Sequence, residues 1–421
     1  VTETGTPLAP ARTARPAHRD VNVLRWLAAY TSSMVGDNVY YLALSWAAVQ
    51  YGTPTQAGLV MAVSAVPRAL LMLGGGVVAD RFGPRRVVIA ADSVRCAAGL
   101  AVAALLHLTS PGLWPLALLA LVFGTVDAVF LPAVGALPAR LTSHDQLARV
   151  QGMRGLAIRF ASVAGAPLGG LAVALGGAAA AFALAGALIA VSVPLLVALR
   201  VREIPALPEA SAPETAARPG AARDLRDGIG YVRRHRVLAP LMLAIALGDL
   251  GFVGPLNVGL TLLADERGWG AAGMGWVLAG FGSGAGAASL LLAVRGRVPA
   301  VGKVAGGSLV AGAIAVAGIA HAPGVPAAVG IALLVGLLAG LSGALCGALV
   351  QTVSDPAYLG RVTAVTSLVS LGLTPLSMPV SAAAIGAWGT GPVFAVSAGV
   401  CGLGGVVALV VPSLRRAELP R

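Results

Sequence analysis

Charge is what this chain has least of. Only 11% of its 421 residues are charged, against about 25% in soluble domains, and 57% are hydrophobic. So few charges cannot coat a water-soluble globule of this size. Cysteine is scarce as well: Cys96, Cys346 and Cys401 are odd in number and lie inside apolar runs. That pattern excludes a disulfide framework and leaves them as small core residues. His18, His107, His144, His235 and His321 are scattered without metal-ligand spacing, so neither a metal nor a cofactor is expected. No Gly-Lys-Ser/Thr loop exists, which argues against an ATP-driven pump. No Ser, His and Asp constellation suggests an enzyme. The opening residues are polar and rich in Pro and Arg, with no apolar stretch of a cleavable leader, so the first apolar run is expected to be retained.

What the chain does have is apolar runs long enough to cross a bilayer, about 20 residues each. Twelve are expected: 26–50, 58–79, 87–107, 113–137, 155–175, 180–199, 237–263, 273–294, 304–321, 327–350, 362–386 and 391–411. The fold class is therefore an all-α membrane protein whose partner is the lipid bilayer. The 29 Lys+Arg against 17 Asp+Glu would suit a polyanion, but their positions argue otherwise. Basic residues cluster before the first run, after the even-numbered runs and in the segment 200–236, while only Arg267 falls on the opposite side. This is the positive-inside rule with both termini cytosolic, and it leaves no role for nucleic acid. Arg almost entirely replaces Lys, and Ala and Gly abound, as expected of a GC-rich bacterium and hence of its inner membrane. Trp114, Trp269 and Trp388 fall at outer ends of the runs, where indole rings anchor at the interface.

Residues 201–222 break the apolar pattern with Pro205, Pro208, Pro213 and Pro219 and read as a cytosolic linker. Beyond it, 224–236 reads as a short basic helix on the inner membrane surface. The organisation is then a tail over 1–24, a six-helix bundle over 25–200, the linker, a second bundle over 223–412 and a tail over 413–421. The halves echo each other. Gly36-Asp37 recurs as Gly248-Asp249, 212 positions later, and Leu147-Ala148-Arg149-Val150 recurs at the same offset as Leu359-Gly360-Arg361-Val362.

Between the second and third runs stands a burst of charge: Gly76, then Asp80-Arg81, Gly83 and the pair Arg85-Arg86. This hairpin resembles the signature loop of the major facilitator superfamily, with Pro84 in a slot the family usually fills with a basic residue. The stretch 36–44 and Tyr358-Leu359-Gly360-Arg361-Val362 resemble that superfamily's bacterial drug and siderophore exporters. In the fifth run, Gly165, Pro167, Gly169 and Gly170 resemble the exporters' Gly-Pro motif, with the proline displaced by one position. The resemblance covers nearly the whole chain and implies two pseudo-symmetric six-helix bundles working by alternating access. It also implies that Asp80 caps the start of the eleventh helix as a latch, with the basic pair beside other carboxylates.

Three acids lie deep in apolar runs: Asp37, Asp127 and Asp249. A charge at the bilayer centre costs at least about 2.5–3.5 kcal/mol, so these are expected to be functional proton carriers. Arg68 is the expected counter-charge. By the resemblance, the helices that hold the acids line the central cavity, where Asn38, Tyr41 and Asn257 are candidate substrate contacts. Asp92 and Arg95, three apart on one helix face, read as a local pair supporting the loop. Arg159 reads as a snorkelling residue near the inner membrane face. The expected activity is proton-coupled export of a small, largely apolar molecule by a monomer. Proton-symport uptake and a non-transporting sensor are the alternatives.

Overall fold

The computed structural model describes residues 19–109, 112–142, 146–199, 221–295, 298–355 and 358–418, with the side chains at 72–77, 80, 148, 221–224 and 371 outside the description. These residues form helices joined by short connections, and no strand occurs among them. The first five are α1 (Val21–Tyr51), α2 (Pro54–Phe82), α3 (Pro84–Leu108), α4 (Trp114–Leu141) and α5 (Leu147–Val197). Then come α6 (Ala221–Arg234), α7 (Leu238–Gly254), α8 (Leu260–Glu266), α9 (Gly270–Arg295), α10 (Val301–Ile319) and α11 (Val325–Val353). The chain closes with α12 (Leu359–Trp388), α13 (Thr390–Val410) and α14 (Pro412–Arg415). Among the described residues, nine helical spans are long and apolar enough to cross a membrane. One of them, Leu238–Glu266, runs through α7 and α8 without a break. The two are joined by a π-helical turn at Pro255–Gly259, where proline removes a backbone donor.

Local chemistry sets the helix ends. The Asp20 carboxylate accepts the Asn22 N–H at 2.8 Å and opens α1. Thr53 and Gln56 cap α2 reciprocally, at 3.3 and 2.9 Å, with Pro54 in the first turn. Only Gly83 separates α2 from α3; its φ of +83° favours glycine. Pro84 then starts α3, where a missing N–H costs no helical hydrogen bond, which accounts for proline in that slot of the basic loop. α5 has 51 residues, about 75 Å at the helical rise and far more than one bilayer crossing needs. It breaks at Gly176 and at Gly177, whose φ is 70°, into two arms that carry the fifth and sixth apolar runs.

The same neighbour pattern occurs twice. In the first half α1 packs on α5, α2 on α4, and α3 on α4 and α5. In the second, α7 packs on α12 and α13, α9 on α11, and α10 on α11 and α13. The 212-residue offset carries Trp114–Leu141 almost onto Val325–Val353 and the two arms of α5 onto α12 and α13. Between the halves α5 meets α9, α2 meets α12, and α1 meets α8 and α9. The amphipathic α6 is tied to the end of α12. Tyr231 stacks on Tyr358 with ring centroids 4.4 Å apart, and its hydroxyl accepts the Asp355 N–H at 3.2 Å.

Backbones approach through glycine, as expected where lipid supplies no hydrophobic drive between helices. A Cβ on Gly284 of α9 would collide with the Leu333 carbonyl of α11, whereas one on Gly286 would meet open space. Gly284→Ala is therefore expected to destabilise the fold by about 1–3 kcal/mol. Gly286→Ala should be neutral or stabilise by up to about 1 kcal/mol. Thermal unfolding of both purified variants checks this, and equal melting temperatures would refute the contact.

Candidate functional site

Arg95 is the centre of the buried charge. It lies on the inward face of α3 with Val88, Ala91 and Gly99, and its side chain has 0% exposure. Nη1 donates to both Asp37 oxygens at 2.9 Å and to Asp127 Oδ1 at 3.1 Å. Nη2 donates to Asp92 and, at 3.1 Å, to the Ser33 hydroxyl. The guanidinium also sits 4.0 Å from the centroid of the Phe130 ring. One cation therefore bridges three carboxylates from α1, α3 and α4.

The expected counter-charge was Arg68, and the structure corrects this. Arg68 Nη1 donates to the Tyr41 hydroxyl at 3.1 Å, and that hydroxyl donates to Asp127 Oδ2 at 3.1 Å. Arg68 thus reaches Asp127 only through the tyrosine. Asp92 and Arg95 are likewise no local prop for the basic loop. They belong to the core of the cluster because α3 turns both toward α1, α4 and α5. The Ser33 and Ser192 hydroxyls donate to Asp92, which is 1% exposed. Asp37 and Asp127 retain 13% and 9%. Asp92 is locked on both oxygens, and the two other acids are the reachable ends of the cluster. Asp249 is absent from this cluster and faces a separate cavity in the second half.

Tyr41 connects the cluster to the space between the halves. A cavity of about 270 Å³ there is lined by Asn38, Tyr41, Ser45, Arg159, Asn257 and Phe281, among others. The three residues expected to contact substrate thus line one cavity. Asn38 and Asn257 each spend the side-chain amide on the carbonyl four residues back in their own helix, at 2.8 Å. Arg159, read from the sequence as a snorkelling residue, instead lines this cavity and the one beside Asp249. It lies on the side of α5 that faces α9.

One end of the inter-half seam is closed. The Ser45 and Thr261 hydroxyls bond at 2.5 Å, and Ser45 donates to the Asn257 carbonyl at 3.3 Å. Gln50 Nε2 donates to Asp265 at 2.7 Å, and Gly58 of α2 packs against Pro379 and Ala382 of α12. The glycines of the α5 motif work here. Gly165 and Gly169 admit Asn38 and Val39 of α1, Gly170 admits the Ala271 backbone of α9, and Pro167 lies against Gly275.

In the basic loop, Arg85 donates to the Leu196 and Val197 carbonyls at 3.1 and 2.5 Å, so it caps the end of α5 within its own half. That corrects the expectation of a carboxylate neighbour, because the four unsatisfied carbonyls of a helix end attract a cation. Arg81 sits 5.7 Å from the Phe82 ring centroid, and Arg86 is exposed. The surroundings of Gly76 and the Asp80 side chain, with its latch, lie outside the described residues. Apart from Asp80, the signal missed in the sequence was periodicity. Arg95 recurs with apolar neighbours at helical spacing on one face, which marks it as buried.

Charge buried beside a cavity between two helical halves is an arrangement suited to transport, and the family comparison identifies a transporter rather than an enzyme. The model of the Major Facilitator Superfamily matches residues 26–374, and the chain belongs to that superfamily. The fold is similar to a single-residue variant of the nucleoside transporter NupG, with a TM-score of 0.71 and 14% identity over 93% of this chain and 100% of that one. It is also similar to a POT family transporter in complex with 5-aminolevulinic acid, with a TM-score of 0.68 and 12% identity over 92% and 96%. No curated protein matches the sequence.

Removing one partner of a buried charge set leaves the others uncompensated, at a cost of about 3–5 kcal/mol. Arg95→Met is expected to cause that loss and to deplete folded protein, while Arg68→Met should be milder because Tyr41 remains on Asp127. Size-exclusion profiles and melting temperatures of the two variants test the order, and a well-folded Arg95→Met protein would refute it.

Proposed function

We propose that this protein is a monomeric, proton-coupled exporter of small, largely apolar molecules, with twelve crossings in two six-helix halves. The observation that carries this reading is the Asp37–Arg95–Asp127 cluster, joined through Tyr41 to the wall of the inter-half cavity. Asp37, Asp92 and Asp127 bring three negative charges to a cluster where Arg95 and Arg68 bring two positive ones. One proton balances the set, and it belongs to the cluster as a unit rather than to a single residue. Asp37 and Asp127 are its seats, since Asp92 is saturated. A substrate that pulls Tyr41 away from Asp127 changes the cost of that proton, which couples the two movements.

Both termini and the linker are cytosolic in this reading, and the membrane is a bacterial inner membrane. The sealed end with Ser45 and Thr261 then faces outward and the cavity opens inward. Asp80, with Gly76, Arg81 and Gly83, forms the latch that closes the inner side in the opposite state. Export is supported by the α5 glycines at the junction of α1 and α9, as small residues there let the seam close and part. Proton-symport uptake is the second reading.

Ethidium serves as a fluorescent probe of flux. Inverted membrane vesicles acidified inside should accumulate it, and Asp37→Asn or Asp127→Asn should abolish uphill accumulation while sparing downhill exchange. Accumulation at wild-type rates in both variants would sink direct coupling at this cluster. Topology has its own test. In a background free of native cysteine, an impermeant maleimide applied to intact cells should label Glu266→Cys but not Ala212→Cys, and external labelling at 212 would overturn the orientation.

A further inference from the structure

The internal repeat exposes a difference between the halves. Asp37 of α1 corresponds to Asp249 of α7. With the offset lengthened by one residue, to 213, the buried Val88, Asp92 and Arg95 of α3 fall on the buried Val301, Ala305 and Ser308 of α10, and Gly99 on Gly312. At the offset of 212 itself, Phe123, Asp127 and Phe130 of α4 fall on Val335, Ala339 and Ser342 of α11. In the first half Asp37 is neutralised by Arg95, which sits over Phe130 and also bonds Asp127. The second half keeps the acid and has a serine where the guanidinium would be, an alanine for the second acid and a serine for the aromatic cover.

What remains in their place is a cavity of about 320 Å³, walled by Asp249, Ser308, Val335, Ala339 and Ser342, among others. Asp249 Oδ2 is buried and has no hydrogen-bond partner among the described residues. Arg159 is the other charged residue on this wall, and no ion pair joins it to Asp249 among the described residues. Phe252 and Phe281 add two rings with centroids 5.7 Å apart. Arg159, Phe281 and Ala285 also line the cavity beside Tyr41, so the two spaces share a wall.

We propose that this cavity binds the cationic head of the transported molecule, an ammonium or guanidinium group on an apolar body. The head pairs with Asp249 in the volume that Arg95 fills in the other half, with the Phe252 and Phe281 faces to favour a cation. The apolar body extends toward the first cavity. The inference rests on the transport reading and specifies its substrate class as organic cations. Ser370 hydrogen-bonds the Asp249 carboxylate, but no ion pair meets its charge among the described residues. A carboxylate without a cation inside a membrane protein is costly, and a cationic ligand removes that cost.

The test uses the full chain in lipid nanodiscs without any gradient. The probe is n-propylguanidinium, the side chain of Arg95 as a free molecule, and its neutral counterpart is n-propylurea. Calorimetry or ligand-observed NMR should show wild-type protein binding the guanidinium and not the urea. Asp249→Asn should weaken the guanidinium by about thirtyfold or more. Ser308→Arg, which returns a tethered guanidinium, should block it. Equal binding of guanidinium and urea, binding of neither, or unchanged affinity in Asp249→Asn would overturn the proposal. The wild-type comparison needs no variant and stands even where a variant fails to fold. Because binding is read without a gradient, loss of ethidium flux alongside intact propylguanidinium binding would sink the transport reading alone.

Discussion

A charge inside a membrane protein must be met by another charge or by a proton, and in this chain Arg95 does most of the meeting. With its side chain wholly buried, it gathers carboxylates from α1, α3 and α4, and Ser192 of α5 completes the shell around Asp92. Four helices are fastened through one guanidinium. Loss of the guanidinium itself would leave three carboxylates without their shared cation in a low-dielectric interior.

The seam between the halves follows a different physics. There the described contacts include glycine against backbone, apolar side chains of one shared cluster, the hydrogen bonds of Ser45 to Thr261 and Asn257, and one exposed amide to carboxylate bond. None of these carries a buried charge. Separating the surfaces costs close packing, shared buried apolar area and a few hydrogen bonds that water can replace. Tyr41 sits where the two meet, with its hydroxyl on Asp127 and its side chain on the cavity wall.

The repeat preserved scaffold and let chemistry diverge. Helix lengths, glycine contacts and neighbour pattern recur because each half must solve the same packing problem. The buried ion pairs do not recur among the described residues, and Asp249 has no counterpart of Arg95 beside it. The first half pairs its aspartates with Arg95, and the second kept Asp249 with an open volume beside it.

By itself the sequence determined the membrane class, the presence of membrane-length apolar helices, the internal repeat and the family's basic loop. These are written in composition and in spacing along the chain, which bilayer thickness and helical rise convert directly into elements. The cavity wall of Asn38, Tyr41 and Asn257 was legible too, because polar residues in apolar runs are rare. Pairing was not legible. Arg68 and Arg95 are both basic residues near Asp127 in a two-dimensional reading, and only the rotation of α3 about its axis puts Arg95 among the three acids. Arg159 shifted from membrane anchor to cavity wall for the same reason, and Arg85 turned from carboxylates to the carbonyls of α5. Which charges meet depends on helix rotation and tilt fixed by packing among several helices, and that information exists only in the tertiary structure.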